Sequence, residues 1–149
     1  MIRVLFICHG NICRSPMAEY IFRDMARKAG CAERFAVSSA AVSREEIGND
    51  IYPPAKRALM QHGIPFQKRA ARQVTEREMD DYDWIIVMDR SNIRYLRRMF
   101  GDTYADKIHL LMEYAGGSGD VSDPWYTGDF ETAYQDIAAG CAGFMAAYV

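Results

Sequence analysis

The first sixteen residues constrain this chain most. Ile2 to Ile7 form a short, nearly continuous apolar run with β-branched side chains, the pattern of a strand buried on both faces. Cys8 ends the run, and Ser15-Pro16 follows one loop later. Ser as N-cap with Pro at the first helical position is a helix-start signal. Met17, Tyr20, Ile21 and Met25 then recur at helical spacing until Gly30, a residue suited to ending a helix. A strand buried on both sides needs helices on both sides, so this unit belongs to an α/β architecture.

The rest of the chain repeats the alternation. Phe35 to Ser39 reads as a second strand, and Pro54 to His62 as a second helix stopped by Gly63. Thr75 with Glu78 makes a capping box for a short third helix. Trp84 to Met88 is a third buried strand, and Asp89 with Ser91 opens a helix that ends at Gly101. Lys107 to Leu111 is a fourth strand. Phe130, Tyr134, Ile137, Cys141, Phe144 and Tyr148 lie four or three apart, as on the apolar face of a last helix. The expectation is a three-layer αβα fold with a parallel sheet and right-handed crossovers. No linker or repeat divides residues 1–149, so a single domain is expected.

Composition narrows the function. Eighteen basic and twenty acidic residues leave a net charge of −2; a nucleic-acid partner would call for a basic excess. Four cysteines, Cys8, Cys13, Cys31 and Cys141, are too few and too irregular for a disulfide framework, and no paired CxxC suggests zinc. The apolar run at the start is too short for a signal peptide, and no stretch approaches the ~20 residues of a membrane span. A cytoplasmic chain without metal, cofactor or membrane partner is expected.

In open parallel sheets ligands bind beyond the carboxyl ends of the strands, which directs attention to Cys8-His9-Gly10-Asn11-Ile12-Cys13-Arg14-Ser15-Pro16. The following helix start offers unpaired N–H groups and a positive dipole end. Gly10 and Asn11 accept left-handed backbone angles, letting the amides between them turn inward. Arg14 adds a planar fork for two oxygens of a tetrahedral anion. Cys8 would lie at the base of this ring as a nucleophile. A helix dipole supplies only about 0.3–1 kcal/mol toward a thiolate, so the loop amides, Arg14 and the Ser15 hydroxyl must supply the rest. Cys8 alone would read as a packed thiol; the combination with Arg14 and the helix start favours chemistry.

The pairing of CHGNICRSP with Asp123-Pro124-Trp125-Tyr126 resembles the low-molecular-weight protein tyrosine phosphatases. Ser38-Ser39-Ala40, His62-Gly63-Ile64, Ala71-Arg72-Gln73-Val74-Thr75 and Met88-Asp89-Arg90-Ser91-Asn92 extend the likeness over essentially the whole chain. The resemblance implies a four-stranded parallel sheet in the order 2-1-3-4 and metal-free hydrolysis of phosphomonoesters. It implies a phosphate-binding loop made of His9, Gly10, Asn11, Ile12, Cys13 and Arg14, braced by Asn11, Ser15 and Ser39. It further implies that Cys13 protects Cys8 by forming a disulfide when Cys8 is oxidised. His9 is a variable loop position, expected to face solvent rather than act in catalysis.

Two carboxylates compete as proton donor. Asp89 precedes a helix and suits a capping role. Asp123, entered through Gly116-Gly117-Ser118-Gly119 and stiffened by Pro124, is chosen on the family likeness. The expected reaction passes through a phosphocysteine, with Cys8 as nucleophile, Arg14 holding the transferred group and Asp123 as acid then base. Ile12, Trp125 and Tyr126 are expected to wall the cleft, with Glu45 standing where many relatives carry an aromatic residue. Related enzymes that act on phosphoarginine carry Thr at the position of Ile12, so Ile12 favours phosphotyrosine. The resemblance implies phosphotyrosine proteins as partners of a monomer or weak homodimer, with a tyrosine kinase one candidate among them. Arsenate reduction would need more relay cysteines, and a non-catalytic binding module would have no use for Cys8 and Asp123 together.

Overall fold

A computed structural model describes residues 1–117 and 119–148; Ser118, within the glycine-rich approach to Asp123, lies outside the described residues. The elements in chain order are β1 (Ile2–Cys8), α1 (Arg14–Lys28), β2 (Phe35–Ala41), α2 (Pro53–Gln61), α3 (Glu76–Asp81), β3 (Trp84–Val87), α4 (Arg90–Phe100), β4 (Ile108–Leu110), α5 (Pro124–Thr127) and α6 (Phe130–Tyr148). The four strands form a parallel sheet in the order β2-β1-β3-β4, as expected. No helix among the described residues is long and apolar enough to cross a membrane.

Strand ends differ from expectation by one or two residues. β2 runs on to Ala41 because β1 extends to Cys8, and these two residues pair in register. Ala41 also exchanges backbone bonds with the Arg72–Val74 segment, at 2.8 and 2.9 Å. β4 shrinks to three residues; as an edge strand it pairs only with β3.

The apolar run Val4–Cys8 of β1 is explained by burial on both faces. Val4 and Phe6 enter a core shared with α1, α2 and α6, whereas Leu5 and Ile7 enter one shared with α3 and α4. These are the two outer helical layers of the expected fold. The capping boxes at Thr75–Glu78 and Asp89–Asn92 are both formed, and Gly30, Gly63 and Gly101 all have positive φ at helix ends. Helix α6 presses against the turn at Leu111–Ala115 through Gly140 and Gly143. A Cβ at Gly143 would stand 1.8 Å from the Tyr114 carbonyl oxygen.

The start of α1 departs from the expected pattern. The helix begins at Arg14, with Cys13 at the N-cap and no side-chain cap bond. Ser15 is therefore inside the first turn, not the cap, and Pro16 is the third helical residue. Ser15 is drawn inward because both its amide and its hydroxyl face the Cys8 sulfur. Pro at the third position costs little, since a first-turn residue has no intrahelical N–H bond to lose.

Candidate active site

Cys8 ends the central strand β1, nearly fully buried at the mouth of α1. Its Sγ receives the backbone N–H of Asn11 at 3.3 Å and of Ser15 at 3.4 Å, and Ser15 Oγ lies 3.1 Å away. Asn11 has φ of 59°, the left-handed angle that turns its amide toward the sulfur. Gly10 does not share that geometry, contrary to expectation. Its missing side chain instead makes room for Glu46, whose Cγ would lie 3.4 Å from an added Cβ.

Buried polar groups hold the loop from beneath. Asn11 Nδ2 donates to Ser15 Oγ at 2.8 Å and to Ser39 Oγ at 3.0 Å. Ser39 in turn donates to Glu19 Oε1 at 2.7 Å, and Arg23 pairs with the other Glu19 oxygen at 2.8 Å. The Asn11 carbonyl and side-chain oxygen both accept from Arg69 Nη2. The amide groups turned toward Cys8 are thus fixed by a satisfied network.

Arg14 is 2% exposed. Nη1 donates to Asp89 Oδ2 at 2.7 Å and to the Val121 carbonyl at 2.8 Å, while Nη2 lies 3.4 Å from Asp123 Oδ2. Burial disfavours its charge, but Cys8, Asp123 and Asp89 outweigh that and raise its pKa above the ordinary arginine value. Asp89 caps α4 through Asn92 N–H and accepts from Ser91 Oγ at 2.6 Å. Burial works against its ionisation, yet Ser91 and Arg14 hold the carboxyl below its usual range. Asp123 caps the short α5 by accepting from Trp125 N–H at 3.1 Å.

The sulfur, the guanidinium and one of the two carboxylates share a cleft of about 240 Å³. Cys8, Cys13 and Arg14 lie with Asp123 in its lining; Asp89 is absent from that lining and borders the neighbouring groove. Ile12, Glu45, Trp125 and Tyr126 line its walls, joined by His9, Gly10 and Glu46. His9 does not project freely into solvent: it pairs with Glu45 and sets its ring edge against Tyr95 at 5.4 Å. Trp125 and Tyr126 line the cleft rather than the core. Both are exposed, Tyr126 at 83%, and Trp125 leans on Tyr52 at 4.8 Å. Burial first, then the charges of Cys8 and Asp123, pushes the Cys13 thiol well above its ordinary value. No group of three or more metal-binding side chains occurs among the described residues.

A family model described as "Low molecular weight phosphotyrosine protein phosphatase" matches residues 3–148. The chain belongs to that family. It is 46% identical over 148 residues to the low molecular weight protein-tyrosine-phosphatase YfkJ of Bacillus subtilis, covering 98% of this chain and 95% of the relative. The crystal structure of YfkJ superposes with a TM-score of 0.94, over 99% of this chain and 94% of that one. The human low molecular weight phosphotyrosine protein phosphatase is 40% identical over 147 residues, 95% of this chain and 92% of the relative. The structure of a Drosophila arginine phosphatase shares the fold at a TM-score of 0.89 and 31% identity, covering 99% and 98% of the two chains.

Within this family phosphatase, the structure brings together every loop and cleft residue singled out from the sequence. Four contributors were not found that way. Arg69 and Tyr52 reach the loop from 58 and 40 positions away, a relationship no local pattern carries. Glu46 adjoins Glu45 in an unpatterned loop. Glu19 looks like an ordinary helical acid until Ser39 is seen to lean on it.

Proposed function

We propose that this phosphatase hydrolyses phosphotyrosine phosphomonoesters in proteins through a phosphocysteine intermediate. The observation that carries the reading is the convergence of two backbone N–H groups on Cys8 Sγ, in a cleft that also holds Arg14 and Asp123. In the first step the Cys8 sulfur attacks phosphorus in line with the leaving oxygen. The S–P bond forms as the P–O bond to the aryl group breaks, and Asp123 delivers its proton to that oxygen. Loop amides and Arg14 hold the three equatorial oxygens as charge redistributes. In the second step Asp123 takes a proton from water, which attacks phosphorus; the S–P bond breaks and inorganic phosphate leaves. Ser15 Oγ, already accepting from Asn11, can turn its proton to the departing sulfur.

Asn11, Ser15 and Ser39 brace the loop in this reading. Ile12, Trp125 and Tyr126 supply the apolar walls that suit an aryl group, with stacking of about 0.5–1.5 kcal/mol beyond burial. Ile12 offers no hydroxyl to a phosphoguanidinium, which favours phosphotyrosine over phosphoarginine. Glu45 and Glu46 make one rim acidic. The test is release of p-nitrophenol from p-nitrophenyl phosphate in chelator-treated protein, blocked by vanadate and abolished in Cys8→Ser. Turnover persisting in purified Cys8→Ser would end the covalent scheme. A phosphoarginine peptide cleaved faster than a phosphotyrosine peptide would overturn the substrate class.

Cys13 is assigned a protective role. Both thiols are free and buried, and peroxide oxidation of Cys8 to a sulfenic acid would let Cys13 displace water from it, closing a disulfide. Peptide mapping after peroxide should recover the Cys8–Cys13 link; sulfinic acid at Cys8 without that link argues against it.

A further inference from the structure

We infer that Tyr52 is a positioning residue for the proposed reaction, holding Trp125 as the cleft wall and tying the Asp123 segment to the phosphate-binding loop. The inference rests on the phosphotyrosine reading above. Tyr52 sits between two parts of the site that are otherwise far apart in the chain. Its backbone N–H donates to the Ile12 carbonyl at 2.9 Å, anchoring it to the loop. Its ring meets Trp125 at 4.8 Å and Phe130 of α6 at 6.0 Å, and it packs on the small cluster of Ile12, Cys13 and Ala71.

The backbone of Tyr52 is itself fixed. It precedes Pro53-Pro54 at the start of α2 and has the extended angles that a following proline imposes, φ −58° and ψ 134°. The ring is therefore a firm platform. Helix α5, by contrast, has four residues, too few to stabilise itself. Trp125 is half exposed and Tyr126 almost wholly so, leaving Pro124 as the buried apolar side chain of α5, so the two aromatic residues are not held by the core. The Trp125 amide also donates to Asp123 Oδ1 at 3.1 Å. Whatever fixes Trp125 thus fixes the orientation of the carboxylate beside it. An aromatic pair of this kind gives about a threefold to tenfold effect when lost.

The experiment compares Tyr52→Phe, Tyr52→Leu and Tyr52→Ala by kcat/KM on p-nitrophenyl phosphate and on phenyl phosphate, whose leaving group needs more help from an acid. Tyr52→Phe keeps the ring and should match the parent. Tyr52→Ala and Tyr52→Leu should lose about threefold on p-nitrophenyl phosphate and about tenfold or more on phenyl phosphate, changing the ratio between the two. A purely structural defect would lower the active fraction and leave that ratio alone. Trp125 and Trp84 are the two tryptophans of the chain, so in a Trp84→Phe background the emission of Trp125 should shift when Tyr52 is replaced by Leu. With Trp125→Ala already present, Tyr52→Leu should add no further loss. An unchanged substrate ratio with unchanged Trp125 emission in Tyr52→Leu would overturn the proposal. Turnover surviving in Cys8→Ser would instead fault the underlying chemistry, a separate outcome read on a separate protein.

Discussion

Arg69 donates from Nη2 to the Asn11 carbonyl at 2.6 Å and to the Asn11 side-chain oxygen. Asn11 is the one non-glycine residue of positive φ among the described residues, and that angle points its amide at Cys8. A left-handed non-glycine residue costs about 1–2 kcal/mol, while hydrogen bonds to a charged group contribute about 1.5–3 kcal/mol. Arg69 is thus sufficient to hold the angle. Arg69→Ala should lower kcat/KM about tenfold to a hundredfold and slow iodoacetamide alkylation of Cys8 at fixed pH. Alkylation at the parental rate would show that the loop keeps its shape unaided.

Asp89 and Asp123 both touch Arg14, yet only Asp123 lines the cleft. Asp123→Ala should therefore cut kcat/KM for phenyl phosphate by about 10²–10⁴-fold, the range of a positioned acid, and cut p-nitrophenyl phosphate far less. Asp89→Asn should slow both substrates in equal proportion. A leaving-group series on the two variants decides the assignment, and it fails if Asp89→Asn shows the steeper dependence.

Asp89 also sets an acid limb of stability. Its folded carboxyl titrates below the ordinary 3.8, since Ser91 and Arg14 overcome the opposing effect of burial. As pH falls the unfolded chain takes up this proton first. The stabilising contribution is complete above about pH 5 and disappears as pH drops through the folded value. Urea unfolding should find Asp89→Asn weaker than the parent at pH 7, with the gap narrowing once the pH falls to the ordinary carboxylate range and below. A gap that widened in acid would contradict the sign.

Gly143 permits the closest approach of α6 to the core turn, where an added Cβ would meet the Tyr114 carbonyl at 1.8 Å. Gly143→Ala gains helix propensity of about 1 kcal/mol but forces backbone apart, at about 3 kcal/mol or more. The net loss of about 2 kcal/mol should lower Tm by roughly 4–8 °C on calorimetry. Gly116, with open space around it, should tolerate Ala with only the strain of its positive φ. An unaltered Tm in Gly143→Ala would mean the helix shifts freely.

The sheet was readable because burial on both faces leaves apolar runs, nearly continuous over Ile2–Ile7 and unbroken over Trp84–Val87, and because capping boxes are local. The loop was readable for the same reason: Cys8, Arg14 and the helix start lie within nine residues. Ser15-Pro16 misled by two positions, since a cap and an inward-facing first-turn serine share the same local pattern, and only the Cys8 sulfur distinguishes them. Arg69 and Tyr52 left no trace because their roles are defined by chain segments brought together in folding. His9 stays at the surface, as read, but its ring is paired with Glu45 and set against Tyr95, partners the local sequence did not show.

The missing cap on α1 has an engineering consequence. An N-cap side chain accepts from the second or third helical N–H; here the third residue is Pro16, which has none, and the second is Ser15, whose N–H faces Cys8. Replacing Cys13 with Ser or Asp for heat resistance, at a gain of about 1 kcal/mol, would withdraw that one hydrogen from the sulfur. Hardiness and turnover compete here for a single proton, and this chain has left it with the chemistry.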